Sequence, residues 1–127
     1  MIGMRKLVEV RSYRLKPGTG SDFHTLVAEQ SAPLHAACSM DLVVFGPSPH
    51  DPDSYVLVRA YDDPAQREAA QAAFYASSAW RDGPRQAIVS LIVSDSTELF
   101  WLDQASIAQL REGRRYAAPA AGWNTAG

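Results

Sequence analysis

Cysteine occurs once in the 127 residues, at Cys38, which excludes an internal disulfide and makes a reducing cytoplasm the expected compartment. No apolar run approaches the roughly 20 residues that a membrane-spanning helix needs, so no membrane partner is expected. Met1-Ile2-Gly3-Met4-Arg5-Lys6 is basic, but no apolar core of signal-peptide length follows before the first strand. Neither sign of charge dominates: 12 Lys and Arg against 14 Asp and Glu leave a net charge of −2. Nucleic-acid binding needs a concentrated basic field, so that partner is not expected either. Glycine-rich phosphate loops are missing; Lys16-Pro17-Gly18-Thr19-Gly20 has turn composition without the required spacing. With 46% apolar and 20% charged residues the chain reads as one globular domain.

The first strand has an alternation that does not suit an ordinary half-buried strand. Side chains alternate faces with a period of two, so Val8, Val10 and Ser12 share one face and Leu7, Glu9, Arg11, Tyr13 and Leu15 the other. A third strand, from Ser54 to Tyr61, repeats the pattern, with Val56, Val58 and Ala60 against Tyr55, Leu57, Arg59 and Tyr61. Between them, Ser21 or Gly20 can cap a helix with Asp22 in its first turn, and Phe23, Leu26, Val27 and Leu34 recur at helical spacing. Pro33 is placed to kink or end that helix. Met40 to Phe45 reads as the second strand, and Ser48 to Asp53 as a turn-rich loop. Asp62-Asp63-Pro64 starts a second helix, whose alanines 65, 69, 72, 73 and 76 offer a smooth face to a sheet. Ser77 to Gly83 reads as irregular or a short helical turn around Trp80, and Pro84 to Ile92 as helix or strand. A last strand covers Val93 to Leu102, and Asp103 can cap a terminal helix through Leu110. Residues 1–102 form the domain, and 103–127 a terminal helix and flexible tail.

The order strand, helix, strand, strand, helix, strand is the ferredoxin-like split βαβ arrangement, an α+β fold with a four-stranded antiparallel sheet. Both helices are expected over the small apolar face of Val8, Val10, Val56, Val58 and Ala60. The opposite face, with Leu7, Leu15, Leu57 and the tyrosines, should not stay in water. A second copy packed on it gives a homodimer, the expected assembly, whose interior is a barrel lined by Glu9, Arg11, Tyr13, Arg59 and Tyr61.

Glu9-Val10-Arg11-Ser12-Tyr13-Arg14-Leu15-Lys16-Pro17-Gly18 resembles the opening strand and turn of the NIPSNAP family, E-x-R-x-Y-x-x-K-P-G. Arg59-Ala60-Tyr61-Asp62-Asp63-Pro64-Ala65-Gln66-Arg67-Glu68 is similar to that family's W-A-Y-D-D…R junction, and Trp80 to a tryptophan after its second helix. The likeness covers residues 6 to 102 and implies a dimeric α/β barrel. Arg59 stands where an aromatic is common in the family, which would make this pocket more cationic. Related barrels include haem-degrading enzymes and quinol monooxygenases. The second helix, Asp63 to Ala76, holds no histidine to ligate haem, and the only asparagine, Asn124, lies in the tail away from the quinol enzymes' position.

Glu9, Arg11 and Tyr13 are the candidate catalytic residues, and Arg11, Tyr13, Arg59 and Tyr61 the candidate ligand contacts. Arginines supply fixed donors for a carboxylate, phosphate or enolate; Glu9 becomes a base if burial raises its pKa; a tyrosine can donate to an oxyanion. The same charges can instead pair with one another or with a second subunit to fill an interface. No metal or cofactor is expected. His24 and His35 are eleven residues apart, about 16 Å along a helix, and His35 and Cys38 lack a third ligand. The histidines read as solvated or capping groups, with His50 in an exposed loop, and Cys38 as an inert, semi-buried thiol. Arg111, Arg114 and Arg115 suit the carboxyl end of the last helix. Two functions stand: a protein that binds a small, anionic molecule and acts as a cofactor-independent enzyme, or a non-catalytic homodimeric scaffold.

Overall fold

The computed structural model describes residues 4–113. Strands β1 (Arg5–Leu15), β2 (Asp41–Ser48), β3 (Asp51–Tyr61) and β4 (Ile92–Asp103) form one antiparallel sheet in the order β2-β3-β1-β4. Helices α1 (Gly20–Leu26) and α2 (Ala32–Ala37), joined by a π-helical turn (Val27–Ser31), link β1 to β2. Helices α3 (Pro64–Ala76), α4 (Ser78–Arg81) and α5 (Arg85–Ser90) link β3 to β4, and α6 (Gln104–Gly113) follows. This is the ferredoxin-like α+β fold.

Local chemistry accounts for the element ends. Asp63 accepts from the Gln66 amide at 2.8 Å while the Gln66 side chain accepts from the Asp62 amide at 3.1 Å, and Pro64 opens α3, where its missing N–H is harmless. Asp103 caps α6 by accepting from the Ser106 amide at 2.7 Å. Helix α1 departs from expectation: Thr19 is its N-cap and makes no side-chain cap bond, so neither Ser21 nor Gly20 caps it. Gly20 is instead held against β3, where the Asp53 carboxylate accepts from the Gly18 and Gly20 amides at 2.9 and 3.0 Å. A Cβ there would collide with the Pro52 carbonyl oxygen. Pro33 neither ends nor breaks the helical run, because it falls at the start of α2, just after the wider π turn.

The expected loop from Ser48 to Asp53 contracts to a tight turn at Pro49 and His50, because β2 continues through Gly46 and Pro47. Pro47 is tolerated because β2 is an edge strand and the register shifts beside it. Residues 84–92, ambiguous in sequence, contain helix α5 and the start of β4.

The two sheet faces are exchanged relative to the sequence expectation. The large-residue face packs under the helices: Leu7, Tyr13, Leu15, Tyr55, Leu57 and Tyr61 join Phe23, Val27, Phe74, Trp80 and Ile88 in one core. The small-residue face, Val8, Val43, Val58 and Ala60, is covered by Ile107 of α6 and leaves Val10, Val44 and Val56 partly buried. A helix layer stands far enough from a sheet to need bulky fillers, and that requirement decided the sides. The alanine face of α3 is correspondingly turned outward: Ala65, Ala69, Ala72, Ala73 and Ala76 are all exposed.

Candidate functional site

Cross-strand register sets Glu9 of β1 directly opposite Arg59 of β3 on the helix-covered face. Arg59 Nε donates to Glu9 Oε1 at 2.7 Å, and the two side chains are 1% and 0% exposed. The Tyr61 hydroxyl donates to the same oxygen at 3.0 Å. Helix α3 supplies the rest through a stripe spaced four residues apart, which lies along one helix face. Arg67 donates to Glu9 Oε2 from Nε at 3.1 Å and Nη2 at 2.7 Å, and Gln71 Nε2 donates to it at 2.6 Å. The Tyr75 hydroxyl accepts from Arg59 Nη1 at 2.8 Å. The polar stripe Arg67-Gln71-Tyr75 faces the sheet because a buried ion pair must have its remaining donors and acceptors satisfied.

Five donors saturate the Glu9 carboxylate. Burial pushes its pKa up, but the Arg59 charge and the bonds from Arg67, Arg59 and Tyr61 outweigh burial and hold it below the ordinary range. The expectation that burial makes Glu9 a base is thereby corrected. Burial raises the Tyr61 phenol to about 12 and also raises that of Tyr13.

His35, read from sequence as solvated or capping, is 2% exposed and stacked on Phe74 with ring centroids 4.4 Å apart. Its Nδ1–H donates to the Ser31 carbonyl in the π turn at 2.8 Å, so Nε2 carries the lone pair that faces Arg59 Nη1 at 3.3 Å. Burial lowers its pKa to about 4, against the pull of the Ser31 carbonyl, and His35 is neutral near pH 7. The sequence signal for His35 was absent, because its partner lies 24 residues away and meets it only in the fold.

A cavity of about 30 Å³ opens beside this cluster, between the sheet and the helices. Tyr13, Ser31, His35, Arg59 and Tyr75 supply its polar wall. Arg59 Nη2, on a residue 1% exposed, is buried and has no hydrogen-bond partner. Of the sequence candidates, Tyr13 and Arg59 line the cavity, whereas Tyr61 is committed to Glu9. Arg11 lies outside its wall, with Nη2 3.6 Å from Asp95 and the guanidinium 5.4 Å from the Tyr13 ring centre. The face exchange puts all five candidates under the helices rather than on a bare face awaiting a second subunit. Arg67, Gln71, Tyr75 and His35 were missed, although Arg67 stands inside the second family-like motif.

The remaining expectations resolve simply. His24 is half-buried and pairs through Nδ1 with the Tyr55 hydroxyl at 2.6 Å, while His50 is exposed. Cys38 is exposed rather than semi-buried, because it follows α2 at a turn. Arg111 donates to Asp41 of β2 at 2.6 Å, a partner that the helix-end reading did not include. Arg114, Arg115, Asn124 and the tail from Tyr116 lie outside the described residues. Among those described, no helix is long and apolar enough to cross a membrane.

Fold and site together define a ferredoxin-like protein with a charged cluster clasped between its sheet and α3. The NIPSNAP family profile matches residues 8–102, and the chain belongs to that family. Its two sequence motifs meet in space, since Glu9 of the first receives Tyr61 and Arg67 of the second. A NIPSNAP family protein of unknown function from Agrobacterium tumefaciens superposes with a TM-score of 0.71 at 21% identity, over 80% of this chain and 95% of that one. A second from the same organism gives 0.69 at 19% identity, over 75% and 90%. An uncharacterised NIPSNAP domain protein from Burkholderia xenovorans gives 0.66 at 22%, over 74% and 91%. No curated protein matches the chain.

Proposed function

We propose that this protein binds a small molecule in the cavity between sheet and helices, with Arg59 as the recognising group, and that it works as a cytoplasmic homodimer. The observation that carries the reading is the unpartnered Arg59 Nη2. Leaving a buried charged donor unpaired is costly, and a ligand oxygen would remove that cost. The pocket supports recognition without a cofactor, since Arg59, Tyr13, Tyr75 and His35 supply its polar groups. Proton transfer there would fall to a tyrosine hydroxyl, because Glu9 is saturated and His35 Nε2 already accepts from Arg59.

The test is a thermal-shift screen of small acids, ketones, amides and alcohols on the wild type, on Arg59→Met and on Val27→Leu, which fills the cavity from its apolar side. Ligand binding raises the melting temperature by mass action. Hits that vanish in both variants support the reading; hits that persist in full in either place the ligand elsewhere and overturn it.

The second reading, a non-catalytic homodimeric scaffold, is favoured by the apolar surface of edge strand β4, where Val93, Leu99, Phe100 and Trp101 are 58%, 45%, 44% and 43% exposed. Dimerisation is compatible with both readings. The partly open valine face at Val10, Val44 and Val56 is the surface we assign to the second copy.

A further inference from the structure

Resting on the cavity reading above, we propose that the ligand is a short-chain monocarboxylate held end-on by Arg59 Nη2 and the hydroxyls of Tyr13 and Tyr75. An inventory of donors and acceptors leads there. A guanidinium has five N–H groups. Arg59 Nε is used by Glu9, and Nη1 donates to His35 and Tyr75, which leaves Nη2 for an occupant. The Tyr75 hydroxyl accepts from Arg59, so its own O–H is left to donate. Tyr13 adds a second phenol to the wall, and burial of the residue raises its pKa and keeps it protonated.

The strongest acceptors nearby are engaged. Both Glu9 oxygens are taken, His35 Nε2 faces Arg59, and the Ser31 carbonyl receives His35 Nδ1. The occupant must therefore bring lone pairs. Charge favours an anion among acceptors: Glu9 and Arg59 cancel, and Arg67, a quarter exposed, leaves the cluster with one positive charge. An anion completes that balance, whereas a neutral carbonyl leaves it open.

Geometry restricts the anion further. With Nε and Nη1 engaged, the forks that grip a carboxylate side-on are closed, so one oxygen meets Nη2. Phe23, Val27, Leu57, Phe74, Trp80 and Ile88 form the rest of the wall, which suits an apolar tail. A volume of about 30 Å³ has room for about two waters, so only the smallest acids, formate and acetate, are candidates.

The experiment titrates the full-length protein, in chloride buffer, with sodium formate and acetate against formamide, acetamide and sodium chloride at matched ionic strength. Binding is read by thermal shift and by broadening of the ligand's proton NMR lines. Acids should shift and broaden while amides and chloride do not, and Tyr75→Phe and Tyr13→Phe should each weaken acid binding about tenfold. These two variants keep the aromatic ring, so they test the site without depending on Arg59. Equal binding of acids and amides overturns the carboxylate assignment but leaves the cavity reading intact. Acid effects matched by chloride, or unchanged in both tyrosine variants, also overturn the assignment. No response to acids overturns it as well, and the wider screen on Arg59→Met and Val27→Leu then decides the cavity reading separately.

Discussion

Glu9 and Arg59 face each other across β1 and β3 and form an ion pair at 2.7 Å with almost no contact with solvent. Five further polar side chains bond to that pair. Tyr61, Arg67 and Gln71 close on the carboxylate, while His35 and Tyr75 close on the guanidinium.

Breaking the pair from one side should be costly. Glu9→Gln removes the charge opposite a guanidinium that cannot lose its proton, and a loss of about 3–5 kcal/mol is expected. Glu9→Leu combined with Arg59→Leu should be less destabilised than the sum of the single changes. Urea denaturation of the four proteins measures both effects.

Acid should weaken the fold before the carboxylates titrate. His35 has a folded pKa of about 4 against 6.5 when free, so between those values the unfolded chain binds more protons. Stability is full above pH 6.5 and falls as the pH drops toward 4, by about 3 kcal/mol in total. Glu9, whose folded pKa is lowered, adds a further loss at still lower pH. His35→Gln should flatten the upper part of the curve. An equal slope in wild type and variant contradicts the assignment.

The turn before α1 offers a local test. Asp53→Ala strands the Gly18 and Gly20 amides and should cost about 1–2 kcal/mol. Gly20→Ala should cost more, because its methyl group meets the Pro52 carbonyl and the backbone must move. Thermal melts of both variants give the order.

How much was legible in the sequence is clearest at β1. A period of two establishes that Glu9, Arg11 and Tyr13 share a face, and the repeat at Arg59 and Tyr61 locates their strand partners. Periodicity does not say which face the helices cover; that depends on the volume to be filled between layers, a tertiary quantity. The same limit applies to α3. Its alanines look like a packing face until Glu9 and Arg59 are known to lie beneath the helix. Only then does the stripe Arg67-Gln71-Tyr75 become the inward one. His35 was illegible for a different reason: metal-ligand spacing is a local pattern, whereas its partners are a carbonyl four residues back and an arginine on β3.

The assembly proposal is tested on the valine face. Light scattering at micromolar concentration should give twice the chain mass for the wild type, and Val56→Glu should give a monomer with its melting temperature lowered by only a few degrees. A monomeric wild type contradicts the homodimer.

The most direct measurement is a crystal structure grown without organic acids and then soaked in acetate. Expected is carboxylate density within hydrogen-bond distance of Arg59 Nη2 and the Tyr13 and Tyr75 hydroxyls, with the carbon tail toward Phe74 and Trp80. Density confined to the open valine face, or an Arg59 environment unchanged at saturating acetate, would contradict the ligand site assigned to this cavity.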